Sequence, residues 1–122
     1  MPATAPTIPG SNVPLSAVKA ELFKALAHPA RVRALEVLAE GERSVGELQP
    51  LVGIELAHLS QQLGVLRRAG LVTTRKVGST VYYSIKDRLV ADLLLVAKKL
   101  LLSSLTETRD LLNSLNKTAR SR

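Results

Sequence analysis

The sequence contains no cysteine, which excludes disulfide bonds, thiolate metal sites and thiol redox chemistry. It also contains no tryptophan, and its only aromatic residues are Phe23, Tyr82 and Tyr83. Such a shortage of aromatic rings argues against a surface that stacks the bases of single-stranded nucleic acid. It leaves leucine, valine and alanine to build the core, a composition that favours packed helices.

Acidic side chains and long apolar runs are scarce as well. Asp and Glu number 10 against 17 Lys and Arg, and the net charge of +7 favours a polyanionic partner. A basic protein without such a partner is the alternative, and charge alone does not decide between them. The longest apolar stretch, 89–102, is interrupted by charges and falls short of the ~20 residues that a membrane span needs. Residues 1–14 carry neither a positive side chain nor an apolar run, so we expect no signal peptide and a cytoplasmic protein.

The chain is predicted to form one domain between two flexible ends. We expect a disordered arm over 1–14, which holds four of the six prolines, a folded domain over 15–115 and a basic tail over 116–122. Hydrophobic periodicity and turn residues predict the element order α-α-α-α-β-β-α. The predicted fold class is therefore mainly α with a small β-hairpin.

Capping residues and glycines predict where these elements begin and end. Ser16 is a candidate N-cap for the first helix, and His28, which precedes a proline, begins the second. Ser44 and Glu47 have the spacing of a capping box for the third helix. Gly78 lies at the tip of the predicted hairpin. The expected helices span 15–27, 28–40, 44–52, 55–69 and 87–115, and the expected strands span 71–77 and 80–85.

The fourth helix has two unlike faces when it is wound at about 100° per residue. Leu56, Leu59, Leu63 and Leu66 form an apolar stripe that we assign to the core. The opposite face carries small and polar side chains suited to adenine in a major groove and to phosphate or guanine. A solvated amphipathic helix would have the same pattern, so this helix alone leaves both interpretations open. The candidate DNA contacts on it are Ala57, His58, Ser60, Gln61, Gly64, Arg67 and Arg68.

The charges around this helix favour DNA as the partner. Five basic residues and no acidic one lie between Leu56 and Lys86. A charge run is usually a solvated face, but this one extends over a helix and the hairpin after it. A short helix, a turn, a longer helix and a hairpin are the layout of a protein that places one helix in the major groove of a duplex. The candidate DNA contacts on the hairpin are Arg75, Lys76, Gly78, Ser79 and Thr80.

Four segments together resemble the ArsR-type winged helix–turn–helix transcriptional regulators. They are LFKALAHPARVRALEVL, SVGEL, LSQQLGVLRRAGLV and GSTVYYSI, in the order and spacing of that family over residues 15–115. The resemblance implies a homodimer on a palindromic operator, a recognition helix at 55–69 and a wing at 77–80. It also implies dimerisation through the first and last helices. We therefore predict a regulator that binds double-stranded DNA at specific sequences, with a partner-dependent protein-docking module as the alternative.

The last helix independently supports a dimer. Between residues 89 and 102, leucine, valine or alanine lies on nearly every side of the helix, so more than one face must be buried. A central core helix is the alternative, but a domain of this size offers too little surface to cover such a helix. The candidate dimer contacts are Leu22, Phe23, Leu93, Leu94, Val96, Ala97, Leu100, Leu101 and Leu105.

The metal ligands that many ArsR-type regulators use are absent from this sequence. The cysteine positions early in the third helix are Ser44 and Gly46 here, and among the ligand positions of the last helix only Asp87 matches. The other three positions are Leu89, Leu100 and Ser103. We expect no metal and no cofactor, although an oxygen-rich or histidine site between subunits stays open as an alternative.

The sequence also predicts that the protein is not an enzyme. It has no cysteine nucleophile, no glycine-rich phosphate loop and no histidine base with an acidic partner nearby in the sequence. The signal that would control a regulator of this kind stays open among a partner protein, an organic ligand and no ligand at all. Repression and activation are equally compatible with the sequence.

Overall fold

The computed structural model describes residues 5–120, and the side chains of residues 5–118. Residues 1–4 of the predicted arm and 121–122 of the predicted tail lie outside the described residues. The predicted fold class and the order of the helices and hairpin strands are confirmed, with one short strand added. The elements are α1 (Leu15–Leu26), α2 (Pro29–Glu40), β1 (Arg43–Ser44), α3 (Val45–Val52), α4 (Leu56–Arg68), β2 (Val72–Val77), β3 (Thr80–Ile85) and α5 (Arg88–Arg120).

The hairpin is part of an antiparallel three-stranded sheet in the order β1-β3-β2. Val77 pairs with Thr80, so that Gly78 and Ser79 form a two-residue turn between β2 and β3. Gly78 has a φ of 61°, and no other residue type has a positive φ in the described part of the chain. Glycine first in a two-residue turn is the pattern of a type II′ hairpin. The added strand β1 is only two residues long, which is too short to leave an alternating pattern in the sequence.

Two of the predicted helix starts are confirmed by their caps. The Nδ1 atom of His28 accepts a hydrogen bond from the backbone N–H of Ala30 at 3.1 Å at the start of α2. The capping box of α3 is complete, since Ser44 Oγ accepts from Glu47 N–H at 3.2 Å and Glu47 Oε1 accepts from Ser44 N–H at 3.0 Å. Both caps satisfy backbone donors that the first turn of a helix leaves unpaired.

The prediction that Ser16 caps α1 is wrong, because Ser16 lies inside the helix and Pro14 is the N-cap. The residues before α1 explain why the N-cap is Pro14 and not Ser16. The backbone N–H of Leu15 donates to the carbonyl of Pro6 at 2.7 Å, which closes a loop in front of the helix. Pro14 is extended at that point, and its carbonyl accepts the first helical bond from Ala17 at 3.1 Å.

The last helix, α5, continues past its predicted end at Leu115 as far as Arg120. The segment 116–120 contains neither proline nor glycine, so nothing in it breaks helical hydrogen bonding. Every residue from Leu95 to Thr118 is exposed in the single chain. The second half of α5 therefore lies outside the core of its own domain.

The core consists of leucine, valine and alanine, as the shortage of aromatic residues predicts. Side chains of α2, α3 and α4 and of the start of β2 form its buried part, while α1 and α5 add mostly half-buried residues around it. The largest fully buried side chains are Leu35, Leu48, Leu59, Leu63 and Leu66.

The prediction that Leu56 belongs to the buried leucine stripe of α4 is wrong. Leu56 is 49% exposed because it is the first residue of the helix, at the outer end of the stripe. Gln62, which is only 7% exposed, lies on the buried face instead. Its side-chain oxygen accepts a hydrogen bond from Nη1 of Arg31 on α2 at 3.2 Å, so the buried amide has a partner.

The burial of α4 predicts which of its leucines stabilise the domain. Leu63→Ala should lower the free energy of unfolding by about 2–5 kcal/mol, because it removes buried methyl groups and leaves a cavity. Leu56→Ala, the matched control at an exposed position, should lower it by less than about 1 kcal/mol. Denaturant unfolding at one fixed protein concentration measures both changes. Equal losses in the two variants would contradict the assigned face of α4.

Candidate nucleic-acid interface

The surface of α4 opposite its buried leucines carries the candidate DNA contacts. Burial of Leu59, Leu63 and Leu66 turns this surface outward, because side-chain directions around a helix are fixed relative to one another. Gly64 is half-buried, and the other candidates on the helix are exposed. The structure thus brings these residues together on one accessible surface, and their contact with DNA stays a prediction. The exposed residues are Ala57, His58, Ser60, Gln61, Arg67 and Arg68.

Gly64 makes room for the side chain of Arg68, one turn further along α4. A methyl group at position 64 would lie 3.2 Å from Nη1 of Arg68. The guanidinium group can lie along the helix surface because glycine has no side chain there. The small residue in the middle of this face therefore allows the guanidinium group of Arg68 to lie close to the helix.

His28 and His58 are neighbours although they belong to different helices. Their ring centres are 5.7 Å apart and their planes meet at 87°, an edge-to-face arrangement. His28 is also the cap of α2, since its Nδ1 accepts the capping bond from Ala30. Nothing in the sequence pattern indicates this contact, which joins the start of α2 to the candidate DNA surface. Across the described residues, no group of three or more His, Asp or Glu side chains could hold a metal ion.

In the structure the wing is the whole hairpin of β2 and β3, and its residue Arg75 is bound to Glu42, the residue before β1. Its Nε donates to Glu42 Oε2 at 3.1 Å, and its Nη2 donates to Oε1 of the same carboxylate. Ser84 Oγ also donates to Glu42 Oε2, at 3.2 Å. The guanidinium carbon of Arg75 lies 5.1 Å from the ring centre of Tyr82, within cation–π range. A single carboxylate thus connects the residue before β1 to both long strands.

The negative charge of Glu42 compensates the positive charge of Arg75, so less net charge is available at this position to attract a phosphate. The hydrogen bond from Arg75 is the largest cause that lowers the pKa of Glu42 below its ordinary value of 4.5. The same bond raises the pKa of Arg75. The absence of acidic residues between Leu56 and Lys86 gave no sign of this partner, because Glu42 lies outside that stretch. Contact between Arg75 and DNA stays a prediction, and it requires phosphate to compete with a carboxylate.

The residues at the tip of the wing are exposed, and within the described residues no carboxylate pairs with the positive charge of Lys76. Lys76, Gly78, Ser79 and Thr80 are all exposed. Within the described part of the chain, the ammonium group of Lys76 makes no hydrogen bond or ion pair. Lys76 is therefore the wing cation that can neutralise a phosphate without losing another partner.

Apolar side chains of α1 and α5 form a second exposed surface. Three of the predicted dimer contacts, Leu22, Leu93 and Leu94, are half-buried against the core of their own domain. The remaining six are exposed, and a monomer rarely leaves so many apolar side chains in water. No helix in the part of the chain that the structure describes is long and apolar enough to cross a membrane. The six exposed contacts are Phe23, Val96, Ala97, Leu100, Leu101 and Leu105.

The Glu42–Arg75 contact has a testable pH dependence. Because folding lowers the pKa of Glu42, the stabilisation is present above the ordinary value of 4.5 and is lost as the pH falls through the lowered, folded-state pKa. Arg75→Met should bring the pKa of Glu42 back towards 4.5 in an NMR titration of the side-chain carboxyl carbon. Glu47 is the control, because the backbone hydrogen bond from Ser44 is the largest cause of its lowered pKa. An unchanged Glu42 titration would mean that the two groups are not paired in solution.

Three comparisons with known proteins agree on one family. Residues 28–74 match the family model described as bacterial regulatory protein, arsR family. The uncharacterized HTH-type transcriptional regulator Rv0081 of Mycobacterium tuberculosis is 56% identical over 95 residues, which are 77% of this chain and 83% of the relative. The crystal structure of that protein superposes with a TM-score of 0.72, covering 77% of this chain and 95% of the other.

Two further similar proteins are a repressor and a DNA-binding domain. The biofilm growth-associated repressor of Agrobacterium fabrum is 44% identical over 89 residues, which are 68% of this chain and 76% of the relative. The solution structure of the homodimeric winged helix–turn–helix DNA-binding domain Mb0332 of Mycobacterium bovis, a possible ArsR-family regulator, has a TM-score of 0.70 at 31% identity. It covers 82% of this chain and 95% of that domain. The arrangement of α3, α4 and the hairpin is thus a winged helix–turn–helix.

Proposed function

Since the chain belongs to the arsR family of bacterial regulatory proteins, we propose that it regulates transcription by binding a palindromic operator as a homodimer. The resemblance seen in the sequence is confirmed by this membership. The relatives are transcriptional regulators, so the prediction that the chain is not an enzyme is confirmed as well.

The exposed face of α4 is the main support for DNA binding. Gln61 can donate and accept hydrogen bonds at once, which matches the edge of adenine in the major groove. Arg67 and Arg68 at the end of the same helix supply positive charge for phosphate or guanine. The small, exposed side chain of Ala57, one turn before Gln61, leaves space beside Gln61 for the groove edge.

Gln61→Ala tests whether α4 recognises bases. The variant should bind the operator about 1–3 kcal/mol more weakly while its affinity for random duplex DNA changes little, because a base contact contributes only at the correct sequence. Fluorescence anisotropy with both duplexes measures the difference. Asn113→Ala, which removes an exposed amide from α5, is the control and should change neither affinity. Equal losses on both duplexes would remove Gln61 from base recognition.

Lys76→Ala tests the wing. If Lys76 contacts one phosphate, the slope of log K against log salt should become flatter by about one unit on operator and random DNA alike. Arg75→Ala should change the slope less, because Glu42 already neutralises that guanidinium. Lys99→Ala on α5 is the charge-matched control and should leave the slope unchanged. A reduction of about two units in the Arg75/Lys76 double variant would mean that DNA displaces Glu42 from Arg75.

The exposed apolar side of α5 supports a homodimer. At about 100° per residue, Leu101, Leu105, Leu112 and Leu115 fall within one narrow stripe of the helix. All four are more than half exposed in the single chain. A second copy that covers the same stripe would bury it symmetrically. The winged helix–turn–helix domain Mb0332, which is 31% identical to this chain, is homodimeric. A dimer also provides the two recognition helices that a palindromic site requires.

Leu101→Asp tests this interface. The charge should convert the dimer into a monomer in sedimentation equilibrium and weaken operator binding, because burial of an unpaired carboxylate is costly. Thr106→Asp adds the same charge on the opposite side of the helix, about 140° away at 100° per residue, and should remain dimeric. A Leu101→Asp variant that stays dimeric would place the interface elsewhere.

Sequencing of DNA fragments selected by the purified protein tests the function as a whole. Recovery of a common sequence with two-fold symmetry would support the operator and the dimer together. Absence of any enriched sequence would contradict the proposal and favour the protein-docking alternative.

A further inference from the structure

A groove of about 450 Å³ lies between α1, α2 and α4. This volume is within the range of ligand pockets, about 300–1,000 Å³. Its walls are mostly apolar and include Val18 and Leu22 of α1 and Val65 of α4. Two cations, Lys24 and Arg31, line it together with one acid, Glu21. The groove therefore joins an apolar lining to a net positive charge.

The guanidinium group of Arg31 is only partly used by the protein. Its Nη1 donates to Gln62 at 3.2 Å, and its Nη2 makes a long contact of 3.5 Å to the carbonyl oxygen of Lys24. Its Nε is buried and has no hydrogen-bond acceptor among the described residues. Buried donors without an acceptor are rare in proteins, so this atom calls for a physical explanation.

The unused edge of Arg31 has the geometry that binds a carboxylate. The Nε and Nη2 hydrogens of a guanidinium point the same way and can donate to the two oxygens of one carboxylate. Arg75 uses the same pair of atoms to bind Glu42 in this protein. Only the long contact to the Lys24 carbonyl competes for that edge at Arg31.

From this geometry we infer that the groove binds a small organic carboxylate with an apolar body. The carboxylate pairs with the Nε–Nη2 edge of Arg31, and the ammonium group of Lys24 adds a second attraction. The apolar body lies against Val18, Leu22 and Val65. The apolar lining argues against a purely inorganic anion, and the cations argue against a neutral or positively charged ligand.

The contact between Arg31 and Gln62 connects this groove to the recognition helix. Gln62 lies on the buried side of α4, next in sequence to the exposed Gln61. Because Nε is buried, an anion pairs with this edge only when the guanidinium group turns towards the groove. That movement disturbs the bond to Gln62 and so changes the position of α4 relative to α2. The ligand is thereby the effector of the regulator, a step that rests on the proposed function, whereas the binding itself does not.

Titration of the full chain with decanoate, followed by amide NMR without DNA, tests the site. Decanoate should give saturable shifts at Val18, Ala25 and Val65, and decylamine at the same concentrations should not. Arg31→Met should weaken decanoate binding by at least about tenfold, since it removes a bidentate charge-assisted pair. Arg33→Met is the matched control, because Arg33 lies on the same helix, bonds to the carbonyl of Leu51 at 3.1 Å and does not line the groove.

A second variant keeps the test valid if Arg31→Met fails to fold. Val18→Glu places a carboxylate on an exposed wall position and should also weaken decanoate binding by about tenfold or more through charge repulsion. Equal binding by the wild type and the folded variants would overturn the site. Tight binding of decylamine would do the same, and so would the absence of saturable shifts, as expected if a second copy covers the groove.

Operator binding measured with and without saturating decanoate separates the two parts of the inference. A change in operator affinity that disappears in Arg31→Met supports the effector role. An unchanged affinity despite decanoate binding would overturn the effector role. Failure of the protein to bind any DNA would contradict the proposed function and would leave the NMR result intact.

Discussion

Burial of the leucine face of α4 is the contact on which the rest of the molecule depends. Leu59, Leu63 and Leu66 are completely buried, and each such side chain contributes roughly 1.5–3 kcal/mol. The same burial points Gln61 and Arg68 away from the core. At about 100° per residue, these two residues lie on the side of the helix opposite the buried leucines. The hydrophobic effect that folds the domain therefore also orients its candidate DNA surface.

A buried polar pair makes this orientation more specific. Gln62 lies within the apolar contact between α2 and α4 and is bonded to Arg31. A shift of α4 against α2 would leave that amide unpaired at a cost of about 1–3 kcal/mol. The pairing is incomplete on the Arg31 side, since its Nε has no acceptor in the described structure. The bond that holds α4 in position against α2 is thus also the one that we infer an anion to perturb.

The charges of the wing are arranged differently from those of α4. Arg75 and Ser84 both donate to Glu42, and Arg75 lies over the ring of Tyr82, so this arginine stabilises the three-stranded sheet in the structure without DNA. Lys76, the next residue, has no such partner in the described structure, because alternate residues of a strand point to opposite faces. Two adjacent basic residues therefore have different roles: Arg75 forms an ion pair within the fold, and Lys76 is left as the candidate contact to phosphate.

The sequence by itself determined the features that depend on neighbouring residues. The caps at His28 and Ser44 and the turn at Gly78 were predictable because their hydrogen bonds and backbone angles involve residues at most three positions apart. The candidate surface of α4 followed from helical periodicity in the same way. Motifs distributed over the chain were specific enough to predict the family. The apolar residues of α5 were predictable as more than a domain of this size can cover, because they lie on nearly every side of the helix.

Only the tertiary structure decided which distant residues meet. Glu42 reaches Arg75 because β1 pairs beside β3, and a two-residue strand leaves no pattern to predict. The contact between His28 and His58, and the burial of Gln62 beside Arg31, likewise depend on how α2 packs against α4. Local propensity carries no information about such pairs, because their energies arise only when the core brings the two segments together.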